Sequence, residues 1–244
     1  MTADRPDPRV GAVVPVLNEQ AAIGDVVREL LAEGVGTVIV VDGGSADGTA
    51  AVARAAGAEV VVEPRRGYGR AMMAGLAHLP PAVEIVLFFD GDGSDRTALV
   101  PQILAPVRTG TADFSIGSRL SGARERGSLG AAQIVAGRLA GVLIRGLYGA
   151  RFTDMSPFRA IRRDVLTRLE MREETFGWNL EMQMKVAAAG LRIVEIPVGQ
   201  RRRRGGVSKV SGDAAVALRA AWSIAATFVR LAVSIYRTDR AVAR

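Results

Sequence analysis

No cysteine occurs in the 244 residues, and histidine occurs once, at His78. The first absence removes disulfides, thiol nucleophiles, iron–sulfur ligation and sulfur-held zinc, and the second removes paired-histidine metal sites. Any bound metal must therefore rely on carboxylate, carbonyl and water oxygens, the donor set of Mg²⁺ or Mn²⁺. Aromatic residues are only 5% of the chain, and none interleaves the basic run Arg201–Arg204. Without such a stacking platform no nucleic-acid partner is expected. Met1–Arg9 is polar and Pro-containing, unlike a signal peptide, so a cytoplasmic location is expected.

What the chain does have is positive charge. Lys and Arg number 32 against 25 Asp and Glu, a net +7, which favours an anionic partner such as a lipid surface or a phosphorylated small molecule. Short apolar runs at Val10–Val16, Thr37–Val41, Ala58–Val62, Ile85–Phe89 and Asp113–Gly117 predict strands. The stretches Glu19–Glu33, Gly48–Ala56, Gly67–Leu79 and Thr97–Arg108 predict helices between them. Such alternation implies an α/β fold with a mostly parallel central sheet flanked by helices. After Gly117 the rhythm changes to a loop (Ser118–Gly127), a helix over Leu129–Leu147, a strand at Phe158–Ile161, helices at Arg163–Met171 and Asn179–Ala189, and a strand at Arg192–Val198.

A last amphipathic helix is expected over Asp213–Arg237, giving a main domain at 1–212 and a tail at 213–244. Its wheel puts Arg219, Ser223, Arg230, Ser234 and Arg237 on one face and sets Leu218, Trp222, Ala225, Val229, Ala232 and Tyr236 in an apolar seam. Arginines interrupt it before any uncharged run reaches the ~18 residues of a spanning helix. Three roles fit this pattern: peripheral contact with an anionic membrane, homo-oligomer packing, or closure of the protein's own core.

Ligands of open α/β sheets lie beyond the carboxyl ends of the strands, and those positions are polar in this sequence. The first run exits through Pro15-Val16-Leu17-Asn18-Glu19, the second through Asp42-Gly43-Gly44-Ser45, the fourth through Asp90-Gly91-Asp92 and the fifth through Gly117-Ser118-Arg119. Asp90 and Asp92 together suit one divalent ion with positions left for a diphosphate. As an EF-hand the segment fails, having Asp95 and Pro101 where Gly and Glu are required. The basic loop Arg201-Arg202-Arg203-Arg204 suits phosphate oxygens, although four consecutive arginines also read as a solvated charge run.

Taken in order, these motifs resemble the inverting glycosyltransferase family 2, with its GT-A (nucleotide-diphospho-sugar transferase) fold, and within it the dolichyl-phosphate mannosyltransferase-like, polyprenyl-phosphate branch. Pro15-x-x-Asn18-Glu19, the Asp42 turn, Asp90-x-Asp92, Gly117-Ser118-Arg119, Phe158-Arg159-Ala160 and Arg203-x-x-Gly206-x-Ser208-Lys209 carry the likeness. It implies that Pro15, Asn18, Glu19 and Asp42 hold the nucleoside, that Asp90 and Asp92 bind Mg²⁺ or Mn²⁺, and that Arg119, Arg203, Ser208 and Lys209 serve the donor or acceptor phosphates. The implied partners are a UDP- or GDP-sugar and a lipid phosphate. An acceptor phosphate is anionic at neutral pH and needs no strong base; a hydroxyl acceptor would need one, and Glu181 and Asp154 are the candidates. A soluble small-molecule acceptor, or a catalytically silent anion-binding module on the same fold, are the alternatives.

Overall fold

The computed structural model describes residues 6–204, 222 and 224–236. Seven strands form one sheet in the order β3-β2-β1-β4-β6-β5-β7. They are β1 (Asp7–Val16), β2 (Val35–Asp42), β3 (Glu59–Val62), β4 (Ile85–Phe88), β5 (Phe114–Ser118), β6 (Arg159–Arg162) and β7 (Ile193–Pro197). All pairings are parallel except those of β6, which runs antiparallel to both β4 and β5. An apolar run carries no arrow, so this reversal was not readable from the sequence.

The helices are α1 (Ile23–Ala32), α2 (Thr49–Ala55), α3 (Tyr68–His78), α4 (Val100–Arg108), α5 (Ala131–Tyr148), α6 (Arg163–Arg168), α7 (Trp178–Ala188) and α8 (224–236). Three expected helices are shorter, the first of them α1, which starts at Ile23 rather than Glu19. The segment at Thr97–Leu99 is a 3₁₀ turn leading into α4, with a proline in the first turn, and α6 ends before Glu170, whose φ of 47° is left-handed.

Alternation along the buried strands divides the core into two layers. Val10, Ala12 and Val14 of β1 face α1 and α4, whereas Val13 faces α3, α5 and α7. At Gly75 of α3 an added Cβ would lie 2.5 Å from Val13 Cγ1, so that helix lies close on the sheet because the residue has no side chain. α7 is buried almost all round, from Trp178 to Ala187, as befits a helix with apolar residues on every side. Part of its cover is α8, whose Phe228, Leu231 and Ile235 are buried in the same cluster.

The seam expected for the final helix therefore needs correction. Trp222, Val229 and Tyr236 are exposed, and the face toward the core is set by Phe228, Leu231 and Ile235. Apolar residues occupy so much of the circumference that the wheel alone admits either face. The expected boundary at 212, together with Leu218 and Arg219, lies outside the described residues. Among the described residues no helix is long and apolar enough to cross a membrane.

Candidate functional site

The carboxyl ends of β1, β2, β4 and β5 meet along one edge of the sheet, and short hydrogen bonds lock their loops together. Pro15 is in register with Val41, and Val16 with Asp42. Asn18, held at φ 55°, accepts from Ala46 N (2.8 Å) through its side-chain oxygen, while its own N–H donates to Ser45 Oγ (2.9 Å). Asp42 Oδ1 accepts from both Ser45 N (2.8 Å) and Ser45 Oγ (2.6 Å), which closes the Gly-rich turn. Asn18 thus ties the β1 exit to the Gly-rich turn, its side-chain oxygen already engaged.

The Asp90–Asp95 turn leaves β4 into the same edge. Asp92 Oδ1 accepts from Ser94 N (2.8 Å). Burial, with the Asp92 and Asp95 charges beside it, pushes the Asp90 carboxyl well above the usual carboxylate range. Burial and Asp92 raise Asp95 to about 7. Like charges crowded in this way call for a cation.

Cations arrive from two directions. Residues 200–204 are strapped across the turn: Arg201 N donates to Ser94 O (2.9 Å), Arg204 N to Asp92 O (3.1 Å) and Gln200 Nε2 to Ser94 Oγ (3.1 Å). Arg203 Nη2 then donates to Glu19 Oε1 at 2.5 Å, and its Nε lies 3.2 Å from Asp92 Oδ2. Arg204 runs over Gly93, where an added Cβ would meet its Cγ and Cδ at 2.9 Å, to pair with Glu29 (2.7 Å) and Asp25 (3.2 Å) on α1. Gly93 has φ +73°, so both its space and its backbone favour glycine. The arginine run is thus no solvated stripe.

The second cation is Arg119, at the end of β5. It donates to Asp154 Oδ2 from Nε (2.7 Å) and to Oδ1 from Nη2 (2.8 Å), in a pair only 8% and 2% exposed. Burial pushes the Asp154 pKa up, but these bonds and the Arg119 charge outweigh it and hold the carboxyl below its usual value. Both oxygens are engaged, and Asp154 thereby positions Arg119.

Glu181, the other candidate, is also engaged. It is buried on α7, accepts from Arg172 N (3.1 Å) and Glu173 N (2.8 Å), and pairs with Lys185 (2.9 Å), so it clamps the 170–173 loop onto α7. Besides Lys185, its partners are backbone N–H groups that the sequence does not advertise. Ser208 and Lys209 lie outside the described residues.

Three contributors went unassigned in the sequence. Asp95 shares the turn with the metal-type pair and was signalled by its position alone. Arg159 is fully buried at the start of β6 and donates to the carbonyls of Pro157 (3.3 Å), Asn179 (3.3 Å) and Ser156; burial lowers its pKa to about 10. Tyr68, stacked on Phe176 with ring centroids 6.1 Å apart, has a hydroxyl whose pKa rises through burial and the Asp90 charge.

Among the described residues no group of three or more carboxylates or histidines forms a metal cage. Two carboxylates at a crowded acidic turn fit instead a hard divalent ion that shares its remaining positions with phosphate oxygens and water.

A family model described as Glycosyl transferase family 2 matches residues 12–169. An uncharacterised glycosyltransferase of Mycobacterium tuberculosis is 36% identical over 208 residues, covering 84% of this chain and 90% of that protein. A dolichyl-phosphate hexose transferase of Haloferax volcanii is 33% identical over 200 residues, covering 80% and 84%. Among solved structures, glucosyl-3-phosphoglycerate synthase from Mycobacterium tuberculosis, in complex with Mn²⁺, uridine diphosphate and phosphoglyceric acid, has a TM-score of 0.71 at 26% identity, covering 94% of this chain and 79% of that one.

Proposed function

Since this chain belongs to glycosyltransferase family 2 and has a GT-A-like α/β fold, we propose that it moves a hexose from a UDP- or GDP-sugar to a polyprenyl-type lipid phosphate with inversion at the anomeric carbon. The observation that carries this reading is the contact of Arg203 with both Glu19 and Asp92: a basic strap closed on an acidic turn at the carboxyl edge. A nucleoside diphosphate accompanied by a divalent cation satisfies both signs at once.

Asp90 and Asp92 would hold Mg²⁺ or Mn²⁺, which when bound supplies positive charge to the leaving diphosphate. Arg203 then exchanges its carboxylate partners for phosphate oxygens, and Arg119, fixed by Asp154, presents a second permanent charge to the same edge. The bond from C1 to the acceptor phosphate oxygen forms as the bond from C1 to the diphosphate oxygen breaks. An acceptor phosphate, whose second pKa is about 6, is already an anion at neutral pH. The engagement of Glu181 and Asp154 in other bonds agrees with a reaction that needs no side-chain base. The relative that transfers hexose to dolichyl phosphate supports the lipid acceptor. A soluble phosphorylated acceptor is the second reading, favoured by the neighbour that carries phosphoglyceric acid.

Calorimetric titration with UDP and GDP, in Mn²⁺, Mg²⁺ or chelator, tests the donor site. One nucleotide should bind only with metal, and Asp92→Ala should abolish that binding and lower turnover at least about a hundredfold. Metal-independent binding, or full turnover by the variant, would overturn the assignment. Detergent-dispersed polyprenyl phosphate and phosphoglycerate, offered separately, decide between the acceptors.

A further inference from the structure

The outward face of α8 plays no part in the donor site. Phe228, Leu231 and Ile235 fix the helix to the core, yet Trp222, Val229, Val233 and Tyr236 remain 46–76% exposed. Spacings of seven, four and three residues place these four on one helical stripe. Scattered exposed apolar residues are ordinary; a stripe confined to one face of a helix marks a surface that meets something. Its two ends carry Trp222 and Tyr236, amphipathic rings favoured where hydrocarbon meets water.

Charge identifies the partner. From 214 to 238, between Asp213 and Asp239, the sequence holds Arg219, Arg230 and Arg237 and no acidic residue, but Arg230 is taken up by Glu173 (2.6 Å), so the exposed cations described on this side are those of α5. α5, on the same side of the sheet, repeats the pattern, with Val135, Val142 and Leu147 exposed and Arg138 and Arg145 as its only charged residues. A two-fold dimer that included the α5 face would set Arg138 and Arg145 against their own copies. An anionic bilayer accepts both the apolar stripe and the cations.

We propose that the exposed face of α8 docks the protein on an anionic lipid bilayer, with the α5 arginines adding to the attraction. The proposal deepens the lipid-acceptor reading, because a polyprenyl phosphate resides in a bilayer. Its test needs neither acceptor nor donor, so the two can fail separately.

The full chain is sedimented with vesicles of phosphatidylcholine alone or mixed with phosphatidylglycerol, all free of polyprenyl phosphate. Preferential binding to the anionic vesicles is expected, together with a blue shift of tryptophan emission. Trp178, 1% exposed, is already shielded, so the shift reports Trp222. The double variant Val229→Asp, Val233→Asp should bind at least about tenfold more weakly, since two apolar contacts become two charges facing an anionic surface. An unchanged circular dichroism spectrum and melting temperature establish that it folds. Three outcomes overturn the proposal: no binding to anionic vesicles, equal binding by the folded variant, or light scattering that shows a dimer dissociated by the variant. If vesicles fail while detergent-dispersed polyprenyl phosphate is still glycosylated, the docking surface is wrong and the acceptor reading survives.

Discussion

Arginine occurs both at the carboxyl edge of the sheet and on α5, but in different company. Arg119 lies against Asp154, Arg203 against Glu19 and Asp92, and Arg204 against Asp25 and Glu29. Arg138 and Arg145 stand on a helix without a single acidic residue. Among the described residues the same side chain is a structural counter-charge in the first region and has no carboxylate partner in the second. Pairing within the protein produces a fixed geometry suited to chemistry, whereas charge left unneutralised raises the attraction to an outside anion.

The sharpest way to break the contrast is to remove a partner at the edge. Asp154→Ala leaves Arg119 buried without its carboxylate and should cost about 3–5 kcal/mol of stability, measured by urea denaturation. The double variant Arg119→Met, Asp154→Leu should recover much of that loss without recovering turnover. A single-variant cost below about 1 kcal/mol would mean that water reaches the pair.

Acidity probes the same region. Asp95 titrates at about 7 in the folded chain and near the ordinary carboxylate value when unfolded, so the folded state holds a proton that the unfolded state has released. Its contribution to stability is present at acid pH and is lost as the pH rises through about 7. With chelator present, Asp95→Asn should therefore flatten a fall in melting temperature between mildly acid and mildly alkaline buffer. A wild-type curve that instead rises across this window would contradict the assignment.

Arg203→Gln offers a finer test, because two affinities should move in opposite directions. Freed of its guanidinium, the acidic turn should bind Mn²⁺ alone about tenfold more tightly, and the nucleotide with its metal about tenfold more weakly, each near 1.4 kcal/mol. Paramagnetic resonance of free Mn²⁺ and nucleotide titration read the two separately. The smallest effect belongs to the outer layer: Trp222→Ser should change stability by no more than about 0.5 kcal/mol, as for other exposed sites away from special contacts.

Much of this was legible in the sequence, and what was missed has a common cause. The apolar runs located every strand to within a few residues, most plainly in β4 and β5, where burial on both faces leaves a continuous signature. The polar exits located the acidic edge for the same reason. What the sequence withheld were pairings at a distance. The commitment of Asp154 to Arg119, and of Glu181 to the N–H groups of residues 172 and 173, depends on which loops fold onto which helices. The inward face of α8 likewise depends on the shape of its neighbours as well as on its own apolar pattern.

The reversal of β6 has a consequence of its own. A strand running against its neighbours starts where they finish, and in register Arg159 lies opposite both Phe88 at the end of β4 and Ile116 of β5. Its guanidinium is solvated by carbonyl dipoles of the incoming backbone and of α7 rather than by a carboxylate. Dipoles do not titrate, nor can a competing metal draw them away. The molecule thereby carries close to its acidic turn a standing bias, a charge whose partners are fixed dipoles while the carboxylates beside it can gain or lose protons.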